Sequence, residues 1–271
     1  MGALIPWISG SGPFKPALDD SFGSFTAGHP LGTDQLGRDF LVRLAYGARY
    51  TIGIAISASL VGAICGISAG VVAGYYRGAL DVVVMRGMDV LLAFPGVLIA
   101  FLVIAILGVG VVPLVWATAV YTTPVFARLA YGACRSVMAQ QYIDAAIARG
   151  AGPLRVMSRH VFPNIFSEMV VLWTLRLAIT VMLVTSLSFL GLGVQPPTPE
   201  WGALLSDGRA YMRTYPLLEI IPGAAVTLLV ISINLFGEGL QQALDPRSTV
   251  RRRAASPERD RLEDSRAGGR K

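Results

Sequence analysis

The chain has 271 residues, 54% of them hydrophobic and only 15% charged, with a formal net charge of +6. Soluble domains carry about 25% charged residues, so this deficit indicates a membrane protein. Nine of the 23 basic residues crowd between Arg247 and Lys271, which argues against the basic stripe of a nucleic-acid binder.

In chain order, residues 1–28 are rich in Pro, Gly, Ser and Asp and read as a loop. The opening run Leu4–Ile8 is apolar but far shorter than the roughly 20 residues a helix needs to cross about 30 Å of hydrocarbon. It reads as the outer end of a span whose start is missing, not as a signal peptide, because no basic n-region precedes an apolar h-region. In 29–50, Leu36, Phe40, Leu41, Leu44 and Ala45 approach helical spacing. With Thr33 or Asp34 as N-cap they predict a short interfacial helix, and a solvated connector fits the composition equally.

Residues 51–74 form the first clear span, with small residues at Gly53, Ser57, Gly62, Gly66, Gly70 and Gly74 for close helix packing. Tyr75 and Tyr76 read as an interfacial belt. A second span is expected over 82–107, kinked at Pro95-Gly96, and a third over 111–129, with Pro124 a further bend. A polar island follows at 139–164. Ala145, Ala146, Ile147 and Ala148 favour helix, Gly150 and Gly152-Pro153 mark a bend, and a second helical pattern ends at Pro163. Small Ala145, Ala146 and Gly150 suit close approach of a partner groove, and Asp144 and Arg149 suit polar contacts at its edge; an amphipathic helix lying on lipid fits the composition equally.

The fourth span is expected over 165–192 and contains Arg176, about eleven residues or roughly 16 Å from its start. A charge so deep suggests either a translocation pathway or structural pairing. Residues 193–216 read as a polar loop with Trp201 and Tyr211 as interface anchors, and the fifth span as 217–235. Asp245-Pro246 stops that helix, and the charged tail 246–271 is expected to be disordered. The organisation is thus an extracytoplasmic segment 1–50, a transmembrane domain 51–245 and a cytoplasmic tail.

Orientation follows the basic residues. With the island inside, the cytoplasmic segments hold Arg77, Arg86, five arginines from 128 to 159 and the whole tail. The outer side holds only Lys15, Arg38, Arg43, Arg49, Arg209 and Arg213. Lys15 and Lys271 are the only lysines and neither follows a Gly, so the chain carries no phosphate-binding P-loop. Isolated Cys65 and Cys134 with only His29 and His160 give neither a metal site nor a catalytic set, so no enzyme activity is expected.

Four stretches in order resemble one family, the inner-membrane permease subunits of bacterial ABC importers of the dipeptide, oligopeptide and nickel group, which also includes glutathione systems. They are HPLGTDQLGRD at 29–39, the island, SLSFLGLGVQPPTPEWGALLSDG at 186–208 and NLFGEGLQQALDPR at 234–247. The PPTPEWG loop is similar to the second permease type, that of dipeptide and oligopeptide permease C. The island is similar to the family's coupling loop, with Asp144-Ala145-Ala146 in place of Glu-Ala-Ala and Gly150, Val161 and Pro163 at the expected positions. The resemblance implies an all-α type I ABC importer transmembrane domain with coupling residues Asp144, Ala145, Ala146, Arg149, Gly150, Arg155, Val161 and Pro163.

The resemblance further implies a second permease chain, two cytoplasmic ATPases, an extracytoplasmic solute-binding protein and a bacterial inner-membrane location, with the C-terminus cytoplasmic. No cofactor is implied for this chain; ATP binds the partner ATPases. The family usually has six spans where five are expected here, a departure that reads either as a start placed too far downstream, the favoured reading, or as a natural five-span form. The competing reading is an ATPase-independent secondary transporter or channel, which needs carboxylates near the membrane middle. None is expected well inside a span, and the solute stays open.

Overall fold

The computed structural model describes residues 13–244. The expectations for Leu4–Ile8 and for the tail 246–271 lie outside these residues. Among the described residues the only regular elements are helices: α1 (Phe40–Tyr76), α2 (Gly78–Ala93), α3 (Gly96–Leu107), α4 (Val111–Met138), α5 (Gln141–Ala148), α6 (Pro153–Phe189), α7 (Trp201–Arg209) and α8 (Leu217–Leu244), with one short 3₁₀ turn before α1.

The glycine stripe of α1 fixes the architecture. A Cβ on Gly62 would lie 2.8 Å from the Ala119 carbonyl oxygen, on Gly66 2.4 Å from that of Thr123, and on Gly74 3.0 Å from Cβ of Cys134. Only glycines let the two backbones approach this closely. Both number series rise together, so α1 and α4 run parallel. The chain between them must therefore return to its starting end. It does so through α2 and α3, which meet at a 100° break. The expected kink is thus much sharper: Phe94 is extended before Pro95, as the proline ring requires of its predecessor.

Helix α6 runs opposite to α1 and α4. Its Ile165 and Met169 pack with Val71, Ala130 and Cys134 in one core cluster, whereas Val181, Val184 and Leu187 pack with Ile54, Ala55, Leu114 and Ala117 in the other. Helix α8 turns back again, with Gly237 against Leu175 and Thr174. Five segments thus alternate in direction. One end of the bundle gathers residues 13–39 and 190–216; the other gathers Tyr76, the island and Leu244.

Helices α1, α6 and α8 are each long and apolar enough to cross a membrane, and the α2–α3 pair makes a fourth if counted as one. The composition of α4 falls short, where the third of the five spans was expected. Its Thr118, Ala119, Thr122, Phe126, Ala127 and Ala130 are buried among the other helices. A helix shielded from lipid has less need of an apolar surface.

Several local expectations are corrected. No interfacial helix starts at Thr33 or Asp34: Gly32 and Gly37 both have φ +71°, and the helix starts at Phe40 under an Asp39 cap that accepts from the Val42 N–H at 2.9 Å. Trp201 is not an interface anchor but 7% exposed, its indole N–H donating to the Leu44 carbonyl at 2.8 Å. Tyr211 rests edge-on against Phe22. Pro163 does not end a helix, because α6 passes through it. A wide turn at Met157–Val161, closed by the Phe162 N–H to the Met157 carbonyl, makes room where proline can offer no hydrogen bond.

Candidate functional site

The island is a short amphipathic helix mounted across the bundle end. Ile143 of α5 is buried in the cluster formed by Val71 of α1, Cys134 of α4 and Ile165 of α6, and Ala146 on the same face is also buried. Asn164 Nδ2 donates to the Tyr142 hydroxyl at 3.2 Å and to the His160 carbonyl at 2.6 Å, tying α5 to α6. Asp144, Ala145, Arg149, Gly150, Arg155 and Pro163 are exposed. Ala146 and Val161 are turned into the core, so within the island they anchor and do not present a surface.

Gly150 ends α5. It has φ +87°, its N–H bonds the Ile147 carbonyl at 2.9 Å, and the Ala151 N–H bonds the Ala146 carbonyl at 3.1 Å. This paired closure needs a left-handed residue, which glycine adopts without cost from a side chain. The turn brings Arg149, Arg155, Arg159 and His160 around one hollow of about 350 Å³ floored by Ala146 and Ala151. Among the described residues none of these side chains makes an ion pair. The outward face of the island is therefore basic around one acidic residue, Asp144, and is free to meet a protein groove.

A second polar assembly closes the opposite end and escaped the sequence reading. The Asp34 carboxylate pairs with Arg38 Nε at 2.7 Å and Arg43 Nε at 3.1 Å, and Arg43 reaches Asp207 of α7 at 3.8 Å. Glu200 is fully buried. It accepts from the Thr51 hydroxyl at 2.7 Å and from the Ala203 N–H at 3.1 Å, capping α7. Burial pushes the Glu200 carboxyl above its ordinary range against the pull of these donors, and burial likewise raises Asp207 against the attraction of Arg43. The motifs at 29–39 and 186–208 thus meet in one clasp. The available signal was an excess of charged residues in two segments flanking spans, but nothing in one sequence pairs them.

Arg176 is half-buried on α6, and among the described residues its side chain has no ion pair. One turn earlier, Trp173 Nε1 donates to Ser59 Oγ at 3.1 Å, linking α6 to α1 at this depth. Glu168, four residues into the expected fourth span, is exposed on α6. Among the described residues no group of His, Cys, Asp and Glu could hold a metal ion.

Residues 66–250 match the family model described as "Binding-protein-dependent transport system inner membrane component". The chain is 42% identical over 222 residues to the glutathione transport system permease protein GsiD of Pectobacterium atrosepticum, covering 82% of this chain and 74% of that protein. It is 42% identical over 219 residues to the protein of the same name from Escherichia coli, covering 81% and 72%. Among solved structures, the inward-facing MetNI methionine ABC transporter is similar with a TM-score of 0.60 at 18% identity, over 75% of this chain and 96% of that one. An amino acid ABC transporter with histidines gives 0.57 at 13% identity, over 76% and 95%. These two show a shared fold, and they bear out the all-α ABC-transporter transmembrane architecture. The family match and the GsiD relatives bear out the resemblance carried by the four motifs. The chain belongs to the family of binding-protein-dependent transport system inner membrane components, the permease subunits of ABC transporters.

Proposed function

We propose that this chain forms half of the translocation pathway of an ATP-driven importer for peptides or a related solute. It pairs with a second permease chain, receives solute from an extracytoplasmic binding protein and docks cytoplasmic ATPases on the island. In this reading the island and Leu244 lie on the cytoplasmic side and the clasp outside, as the distribution of basic residues favours. The relatives named for glutathione transport support a peptide-like solute. An unpaired guanidinium at mid-span supports Arg176 as a pathway residue.

The observation that carries the reading is the mounting of α5. Its inner face is locked to the ends of α1, α4 and α6 through Ile143, while Asp144, Ala145 and Arg149 face outward. A push on the outward face is therefore delivered to three long helices at once. Asp144→Arg reverses the one acidic contact on that face without touching the core. Measured in the assembled complex, it is expected to lower ATPase co-purification and ATP-dependent uptake by about tenfold, with membrane insertion unchanged. Docking and uptake that survive this change would refute the coupling role. Uptake that persists after ATP depletion would refute the importer reading itself.

A further inference from the structure

We propose that the outer half of α1 carries a carboxylate-recognition site that holds the transported solute as it enters the bundle. This rests on the importer reading above and adds a substrate class and a location to it.

Tyr46, Arg49, Tyr50, Gly53 and Ser57 recur at intervals of three and four and share one face of α1. They line a hollow of about 460 Å³ bounded on the far side by Val111 and Val115 at the start of α4. Sites for small solutes have volumes of about 300–1,000 Å³. The neighbouring faces of α1 are occupied: Ala55, Ala58 and Gly62 are buried against other helices. Among the described residues this face is left open.

Its chemistry does not suit lipid. Lower on the same helix, Leu60, Ile64 and Ile67 border an apolar groove with Phe166 and Trp173 of α6. Above Ser57 the lining becomes a guanidinium, two phenols and a hydroxyl. A charged side chain on a lipid-facing helix surface is costly, whereas one facing a wet pathway is not. Arg49 is exposed, and among the described residues it has no ion pair. No described hydrogen bond engages the hydroxyls of Tyr46, Tyr50 or Ser57 either.

All four groups can donate, and none is an anion. The complementary ligand is therefore an acceptor-rich anion. The planar guanidinium fork matches a carboxylate with two parallel N–H bonds, and flanking hydroxyls can satisfy the remaining lone pairs. Gly53 leaves the floor open, since nothing lies within 4 Å of the place its Cβ would occupy.

The test uses the complete importer in proteoliposomes, with its ATPases, second permease and binding protein. Uptake of glutathione is compared with uptake of its C-terminal amide. Because the same binding protein serves every variant, only the change in preference reports on the membrane site. Arg49→Gln is expected to reduce the acid-over-amide preference about tenfold, and Arg49→Lys to restore part of it. Gly53→Leu fills the open floor and is expected to slow uptake of both solutes without lowering the melting temperature.

An unmodified importer that moves acid and amide alike, or neither, overturns the site, as does an intact preference in Arg49→Gln. If the loss appears only in vesicles containing anionic lipid, the anion is a headgroup and the solute assignment falls. Uptake without ATP would sink the importer reading alone, because the acid-to-amide ratio still reports on Arg49.

Discussion

At the residue scale, Gly150 is a conformational requirement. A Cβ there meets nothing within 4 Å, so space is not the constraint; the φ of +87° is. An L-residue in that region costs about 1 kcal/mol, and Asn costs less than Ala. Gly150→Ala is therefore expected to destabilise the end of α5 by about 1 kcal/mol and Gly150→Asn by less, read by thermal melting in detergent. Equal melting temperatures for all three proteins would refute the left-handed closure. The sequence reading took this glycine both as part of a bend between two helices and as a small residue for close approach; the helix does end there. What the sequence could not supply is the left-handed closure, because a bend and a close approach select the same residue.

At the scale of elements, the α1–α4 contact is the most constrained packing in the molecule. Gly70 illustrates the tolerance: an added Cβ would lie 2.2 Å from the Ala127 carbonyl oxygen, a backbone atom that cannot move without shifting α4. Gly53, on the open face, has no such neighbour. Gly70→Leu is expected to cost at least 1–3 kcal/mol by overpacking, whereas Gly53→Ala costs a few tenths or less. Detergent melting of the two variants checks this, and similar values would contradict the parallel pairing. The small-residue repeat was legible in the sequence because its period of four is a helical face. The partner helix was not, since α4 offers Thr, Ala and Phe in a pattern that many helices share. Pro163 was misread for a physical reason: a proline excludes an ordinary helical bond, and only the wide turn at Met157–Val161 lets the helix continue.

At the scale of the whole molecule, the clasp joins segments about 150 residues apart through Thr51 and Glu200. Neither segment announces this, because buried carboxylates are rare and a single chain provides no pairing information. The apolar runs did outline the alternating helices, and the four motifs did identify the family. Glu200 makes the clasp sensitive to pH. Burial raises its folded-state pKa above the ordinary 4.5, so the native chain binds a proton that the unfolded chain has lost. The stability this provides is full below about pH 4.5 and is lost as pH rises through the folded value. Glu200→Gln is expected to remove that part of the pH dependence in melting curves taken from acidic to neutral pH. A variant with the same slope as the parent would show that Glu200 stays ionised throughout.

Helix α6 has 37 residues and is therefore about 55 Å long, against about 30 Å of hydrocarbon. It is nearly twice as long as that barrier. Pivoted near its middle, a tilt of about 10° would carry its inner tip sideways by roughly 5 Å. The tip bears the island and the opposite end packs beside the clasp. In the proposed importer, a short swing at the island end would thus be answered by an opposite swing at the clasp end.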